Sequence, residues 1–132
     1  MTSNNLMTRI LYVGYEPDTV DYSNPALPPG MNAEKIRAGN AVALKQFADR
    51  GWQADMVYVR PDGTAGRTLE RQLTASTYDC VVIGAGIRVL GRLEDFEAII
   101  NAIHRAAPAA AIAFNTRPED SADAAARLSP QR

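Results

Sequence analysis

Four short apolar runs alternate along this chain with four segments of helical periodicity, and few folds accommodate that alternation. The runs span residues 9–14, 54–59, 79–84 and 110–115, with the sequences RILYVG, ADMVYV, DCVVIG and AAIAFN. The first, third and fourth runs lack strict polar alternation, which is typical of strands that are buried on both faces of a parallel sheet. The periodicity predicts helices at about 33–50, 65–76, 94–107 and from 116 onwards.

This order of elements, a strand followed by a helix four times over, predicts an α/β protein. Because crossover connections are right-handed, we expect a three-layer α/β/α sandwich with a four-stranded parallel sheet in the order 2-1-3-4. That arrangement resembles the flavodoxin-like and Rossmann-like folds. The 132 residues suit one domain spanning 1–132, and we expect residues 1–8 to form a flexible N-terminus.

Local signals predict where helices begin and end, and they single out one polar residue. Asn32 is predicted to cap the first helix, and Gly51 fits the left-handed position after its end. Asn40 lies on the apolar stripe of that helix. We interpret it as a buried amide with satisfied hydrogen bonds, the alternative being that this face meets something polar. Thr116 and Glu119 have the spacing of a capping box for the last helix.

The composition argues against several classes of partner and site. The net charge of −1 lacks the basic footprint of a nucleic-acid or anionic-membrane binder, so we predict neither partner. With one cysteine and one histidine, the chain forms no internal disulfide and we predict no metal site. Cys80 is interpreted as a buried, inert thiol. No apolar run spans a bilayer, the N-terminus lacks a secretory signal, and we expect a cytoplasmic protein of bacterial type.

The strand order also predicts where a ligand would bind. In open α/β sheets, ligands bind outside the carboxyl ends of the strands where the strand order reverses, which here lies between the first and third strands. Two unusual segments flank that crevice, the long loop 15–31 and the glycine-rich loop 84–92. Loops as long as the first are usually lids, binding loops or disordered segments. We expect this loop to lie over the site.

The third strand and the residues after it, DCVVIGAGIRV (79–89), resemble the FAD- and NAD-binding fingerprint of Rossmann dinucleotide-binding proteins. The resemblance implies a pyrophosphate at Gly84 and Gly86. However, Val89 replaces the third glycine, RVLGR separates the glycines from the next helical stripe, and Asn115 stands where the acidic ribose partner is expected. We therefore predict no FAD, NAD or other cofactor. The glycines then either turn the chain or let backbone N–H groups approach another ligand.

Three further candidates for ligand binding follow the fourth strand. Asn115, Thr116 and Arg117 end that strand and open the last helix, where free N–H groups favour an anion. The simpler role of Thr116 is to cap the helix.

The remaining candidates lie on the two loops that flank the crevice. Arg88 either clamps a carboxylate or phosphate or forms a salt bridge with an acid of the long loop, such as Asp18 or Asp21. Asp18, Asp21 and Tyr22, together with Glu16, could hold a divalent cation or supply a general base. Such residues more often only solvate a loop.

Three hypotheses for function follow, and the sequence does not decide whether the chain is an enzyme. The leading one is binding of a small anionic molecule at the carboxyl edge of the sheet, between the loops after the first and third strands. The alternative is a homodimeric protein-interaction module without catalysis, because the edges of a four-stranded sheet invite pairing. The third is a hydrolase or isomerase that uses the loop carboxylates.

Overall fold

The computed structural model of the protein describes residues 8–128 and contains the predicted sheet. Four parallel strands lie in the order β2-β1-β3-β4, which confirms the predicted fold class and strand order. The strands are β1 (Arg9–Tyr15), β2 (Gln53–Val59), β3 (Cys80–Ile83) and β4 (Ala111–Phe114). Each differs from its predicted bounds by one residue at one or both ends.

Residues 8–128 contain five α-helices, one more than the sequence predicts. They are α1 (Ala33–Asp49), α2 (Ala65–Ala75), α3 (Ala85–Val89), α4 (Leu93–Ala106) and α5 (Ser121–Leu128), with 3₁₀ turns at Pro17–Thr19 and Pro118–Asp120.

Helix α3 corrects the expectation of a loop at 84–92. The N–H groups of Ile87 and Leu90 donate to the carbonyls of Gly84 and Gly86, and the Ile87 side chain is buried in the core. Tertiary burial therefore stabilises a helix that is too short to form alone.

Both faces of the sheet are covered by helices, because successive residues of a strand point to opposite faces. Leu11 and Val81 pack with α2, α3 and α4, whereas Ile10 and Val82 pack with α1 and α5. The described part of α5 contributes only alanines to this second cluster. The sheet is thus the middle layer of a sandwich, as the missing polar alternation predicted.

The predicted ends of α1 and the predicted state of the cysteine are confirmed. The Asn32 side chain accepts a hydrogen bond from the N–H of Lys35 at 2.9 Å, and Gly51 has a φ of +80°. Cys80 is buried, and this burial raises the pKa of its thiol to about 11. Little reactive thiolate therefore forms near neutral pH.

The predicted capping box before α5 is wrong. The N–H groups of Thr116 and Arg117 donate to the carboxylate of Asp120, and so does the Thr116 hydroxyl. A 3₁₀ turn that starts at Pro118 precedes α5. The carboxylate that reaches back is therefore four residues from Thr116, and Glu119 does not take this role.

The predicted flexible N-terminus, 1–8, lies outside the described residues except for Thr8. The carbonyl of Thr8 accepts a hydrogen bond from the N–H of Gln53 at 2.9 Å. Within 8–128, each helix falls short of the length or the apolar composition that crossing a bilayer requires.

Replacing Asn32 by alanine should lower the free energy of unfolding by about 1 kcal/mol, because the cap of α1 is lost. Urea denaturation measures the change. The matched variant Asn32→Asp keeps an accepting oxygen at the cap and should retain the stability of the wild type. Equal losses in both variants would contradict a capping role for Asn32.

Candidate functional site

A cavity of about 290 Å³ lies at the carboxyl ends of β1 and β3, where the strand order reverses. Gly14 and Tyr15 of β1 line it on one side, and Gly84 and α3 line it on the other. This is the crevice that the strand order predicts as the place for a ligand.

One wall of the cavity is apolar and comes largely from the long loop. Val20, Leu27 and Met31 line the cavity from this loop, and Ile36 of α1 and Leu90 continue the surface. The loop begins at residue 16, because Tyr15 still belongs to β1. Its side chains line the cavity, at the place where the sequence predicts a loop over the site.

One end of the cavity is polar and is built around Tyr12 and Asn40, which both line it. The Tyr12 hydroxyl donates to Oδ1 of Asn40 at 3.0 Å, and Nδ2 of Asn40 donates to the Tyr58 hydroxyl at 3.2 Å. Burial raises the pKa of Tyr12, so its hydroxyl stays protonated as a donor. Asn40 is 5% exposed, which confirms the buried, hydrogen-bonded amide predicted from its place on the apolar stripe.

Asn115 extends this polar end beneath α3 and α5. Its Oδ1 accepts the N–H of Ala85 at 2.8 Å, and its Nδ2 donates to Oγ of Ser121 at 2.8 Å and to the Tyr12 hydroxyl at 3.3 Å. The side chain is 1% exposed. Both N–H groups of the Asn115 amide are therefore occupied.

The structure brings five of the predicted site residues together. Gly84, Gly86, Asn115, Thr116 and Arg117 all line the cavity. Asn115 serves as a bridge between elements, and the Thr116 hydroxyl is bound to the carboxylate of the 3₁₀ turn. Arg117 forms no salt bridge with any residue in the range 8–128.

The glycine-rich loop differs from its predicted form at the first turn of α3. A helix does begin directly after Gly84, but it has five residues and its first N–H, from Ala85, donates to Asn115. A Cβ on Gly84 would lie 3.0 Å from the carbonyl oxygen of Val13. Close packing of this turn against β1 therefore requires glycine at position 84.

Arg88 does not line the cavity. Its guanidinium donates to the backbone carbonyl of Asn115 and lies 5.5 Å from the centre of the Phe114 ring. The alternative prediction, a salt bridge to Asp18 or Asp21, is wrong, because Asp18 pairs with Arg37 and Asp21 accepts from Ser23.

The polar residues of the long loop also lie outside the cavity lining. Asp18 and Glu16 accept hydrogen bonds from Arg37, which lowers the pKa of Asp18. Ser23 holds the Asp21 carboxylate and lowers its pKa. The Tyr22 hydroxyl donates to the carbonyl of Pro17. Lowered carboxyl pKa values favour a permanently charged loop surface over proton transfer at neutral pH.

No group of three or more metal-ligating side chains occurs in the part of the chain that the structure describes. The acids of the long loop are instead engaged by Arg37 and Ser23.

A buried pair that the sequence did not predict stands beside the cavity. The Tyr15 hydroxyl donates to Oδ2 of Asp95 at 2.8 Å, and Arg92 lies 3.3 Å from the other carboxylate oxygen. Asp95 is 1% exposed. A Cβ on Gly91 would lie 1.9 Å from the Tyr15 hydroxyl, so glycine makes room for the tyrosine. The only sequence signal was an aromatic residue directly after a buried strand.

No protein-family model matches the chain, and a search of curated proteins finds none with significant sequence similarity. The geometry of the cavity therefore carries the functional proposal.

Replacing Tyr15 by phenylalanine should lower the free energy of unfolding by about 1–3 kcal/mol, because Asp95 stays buried and loses a donor. Urea denaturation at neutral pH measures this cost. A decrease in the free energy of unfolding of less than a few tenths of a kcal/mol would contradict a stabilising role for the Tyr15–Asp95 hydrogen bond.

The stability of Tyr15→Phe should depend less on alkaline pH than the stability of the wild type does. Burial and the adjacent Asp95 raise the pKa of Tyr15 above 10.0, so the folded protein holds this proton more tightly than the unfolded chain does. The resulting stability is fully present below the ordinary pKa and is lost as the pH rises through the raised value. Tyr15→Phe should therefore lose less stability above pH 10 than the wild type, and parallel curves would contradict this.

Proposed function

We propose that this protein binds a small organic molecule with an apolar body and an acidic group in the cavity at the carboxyl ends of β1 and β3. The observation that carries the proposal is a cavity with an apolar wall and a polar end at the switch point of the sheet. Ligand sites commonly combine mostly apolar walls with a few placed polar groups.

The volume of the cavity sets the size of the ligand. A water molecule takes about 30 Å³ of liquid, so about 290 Å³ holds about ten non-hydrogen atoms. Octanoate, with eight carbon and two oxygen atoms, is a suitable probe of this size.

The position of Arg117 is the reason to expect an acidic group on the ligand. It lines the cavity, and its guanidinium forms no salt bridge within 8–128. Its backbone N–H, by contrast, donates to the Asp120 carboxylate. A guanidinium remains charged at all physiological pH values and pairs well with a carboxylate or phosphate. Arg88, the other arginine predicted to bind an acidic group, is already engaged by Asn115 and Phe114 and does not line the cavity.

Isothermal titration with octanoate tests the proposal. The variant Leu27→Trp places a larger side chain in the cavity and should abolish octanoate binding. Val42→Trp adds the same side chain on the exposed face of α1 and should leave octanoate binding unchanged. Absence of octanoate binding to the wild type, or equal binding to Leu27→Trp, would contradict a ligand site in this cavity.

The role of Arg117 has its own matched pair. Arg117→Gln should weaken octanoate binding about tenfold, in line with a lost hydrogen bond to a charged group, and should leave octanol binding unchanged. Arg71→Gln removes an exposed arginine of α2 and should affect neither ligand. If Arg117→Gln also weakened octanol binding tenfold, this would contradict a contact between Arg117 and the charge of octanoate.

A second candidate function is association with another copy of the chain near β4. Three side chains favour it. Leu93 is 67% exposed and Phe114 is 37% exposed, and Phe96, one turn after Leu93, packs on Phe114 with ring centres 6.1 Å apart. Against it, Arg127 covers the edge carbonyl of Phe114, which blunts strand pairing.

Sedimentation velocity at micromolar concentration tests this second candidate. A dimer that Leu93→Glu converts to monomer would support it, because a charge on the exposed apolar surface opposes its burial. A monomeric wild type would reject it. Neither result bears on the cavity.

A further inference from the structure

The amide of Asn40 leaves half of its hydrogen-bonding capacity unused at the polar end of the cavity. A side-chain amide has two N–H donors and two acceptor lone pairs. Asn40 accepts one hydrogen bond from Tyr12 and donates one to Tyr58, and residues 8–128 supply no other partner. Asn40 is nearly fully buried and lines the cavity. An unmet N–H in such a place is costly unless a ligand or water meets it.

The other buried amide at this end offers no such donor. Asn115 gives one N–H to Tyr12 and the other to Ser121. The Tyr12 hydroxyl has its single proton on Asn40. Among these three side chains, only Asn40 therefore has an N–H left for a ligand.

Asn40 and Arg117 lie at the same end of the cavity. Gly39 packs so closely against Pro118 that a Cβ on Gly39 would lie 3.1 Å from Cγ of Pro118. Asn40 and Arg117 are the sequence neighbours of these two residues, and both line the cavity. An acidic group bound in this part of the cavity therefore has the buried Asn40 and the exposed Arg117 among its neighbours.

Resting on the proposed function, we propose that the ligand is a monocarboxylate and that Asn40 determines this specificity. One carboxylate oxygen accepts the spare N–H of Asn40, and the other meets the guanidinium of Arg117. The two donors match the two oxygens of a carboxylate. A sulfonate or phosphate brings a third oxygen that loses its water without gaining a partner, which lowers its affinity.

The wild-type protein tests the proposal through the side-chain amide signals of Asn40 in ¹⁵N–¹H correlation spectra. Titration with octanoate should shift these signals, and octanol should not shift them comparably. Heptanesulfonate carries the same seven-carbon tail as octanoate and should bind about tenfold more weakly or worse, because its third oxygen is desolvated without a partner. Equal affinities for octanoate and heptanesulfonate would overturn the carboxylate assignment.

The variant Asn40→Asp provides the matched chemical test. It keeps an oxygen to accept from Tyr12 and replaces the spare N–H by a like charge. The N–H that donates to Tyr58 is replaced by an oxygen to which the Tyr58 hydroxyl can donate instead. Octanoate affinity should fall about tenfold or more, whereas octanol affinity should stay within about twofold. Asn101→Asp makes the same substitution at an exposed position of α4 and should bind octanoate like the wild type. Circular dichroism checks that each variant is folded. If Asn40→Asp does not fold, the ¹⁵N–¹H spectra of the wild type decide whether Asn40 contacts the ligand.

The outcomes separate this inference from the proposed function. Octanoate binding that Leu27→Trp abolishes, together with unshifted Asn40 signals, would overturn the role of Asn40 and leave the cavity as a binding site. A wild type that binds neither octanoate nor octanol would overturn both.

Discussion

The hydrogen bonds of the buried Asn115 amide hold together the elements that form the cavity. Its oxygen accepts the first N–H of α3, and its nitrogen reaches Ser121 at the start of α5 and Tyr12 in β1. The side chain itself follows β4. Four elements thus meet on one amide whose donors are all used. Because a buried polar group that loses its partner is expensive, this arrangement fixes the polar end of the cavity.

The other polar side chains at this end of the cavity are positioned through Asn115. Asn115 orients the Tyr12 hydroxyl, and Tyr12 in turn donates to Asn40. The polar end is thereby built on strands and helices, whereas the apolar wall comes largely from a loop. A fixed polar end reduces the ordering cost of binding, and a wall made of loop side chains can adapt to the shape of an apolar body.

Strand order and the position of the cavity could be predicted because both follow from patterns along the chain. Apolar runs and helical stripes gave the sheet, and the reversal of strand order gave the crevice. Asn40 and Gly51 were predictable for a similar reason, since helical periodicity and helix ends are local properties. The fold therefore depends mainly on patterns that one sequence displays.

Side-chain partners could not be predicted in the same way. The Arg88 guanidinium contacts Asn115 and Phe114, whereas Asp18 pairs with Arg37 and Asp21 accepts from Ser23. The Tyr15–Asp95 pair joins residues eighty positions apart. Helix α3 forms because Ile87 is buried by distant parts of the chain. In each case the deciding contact is tertiary, and sequence spacing contains no information about it.

Native mass spectrometry of the protein purified from cells without added ligand tests the central claim, that the cavity is a ligand site, most directly. We expect an adduct with the mass of an acid of about ten non-hydrogen atoms, present on the wild type and absent from Leu27→Trp. A bare chain in both preparations, or an adduct that persists in Leu27→Trp, would contradict the claim.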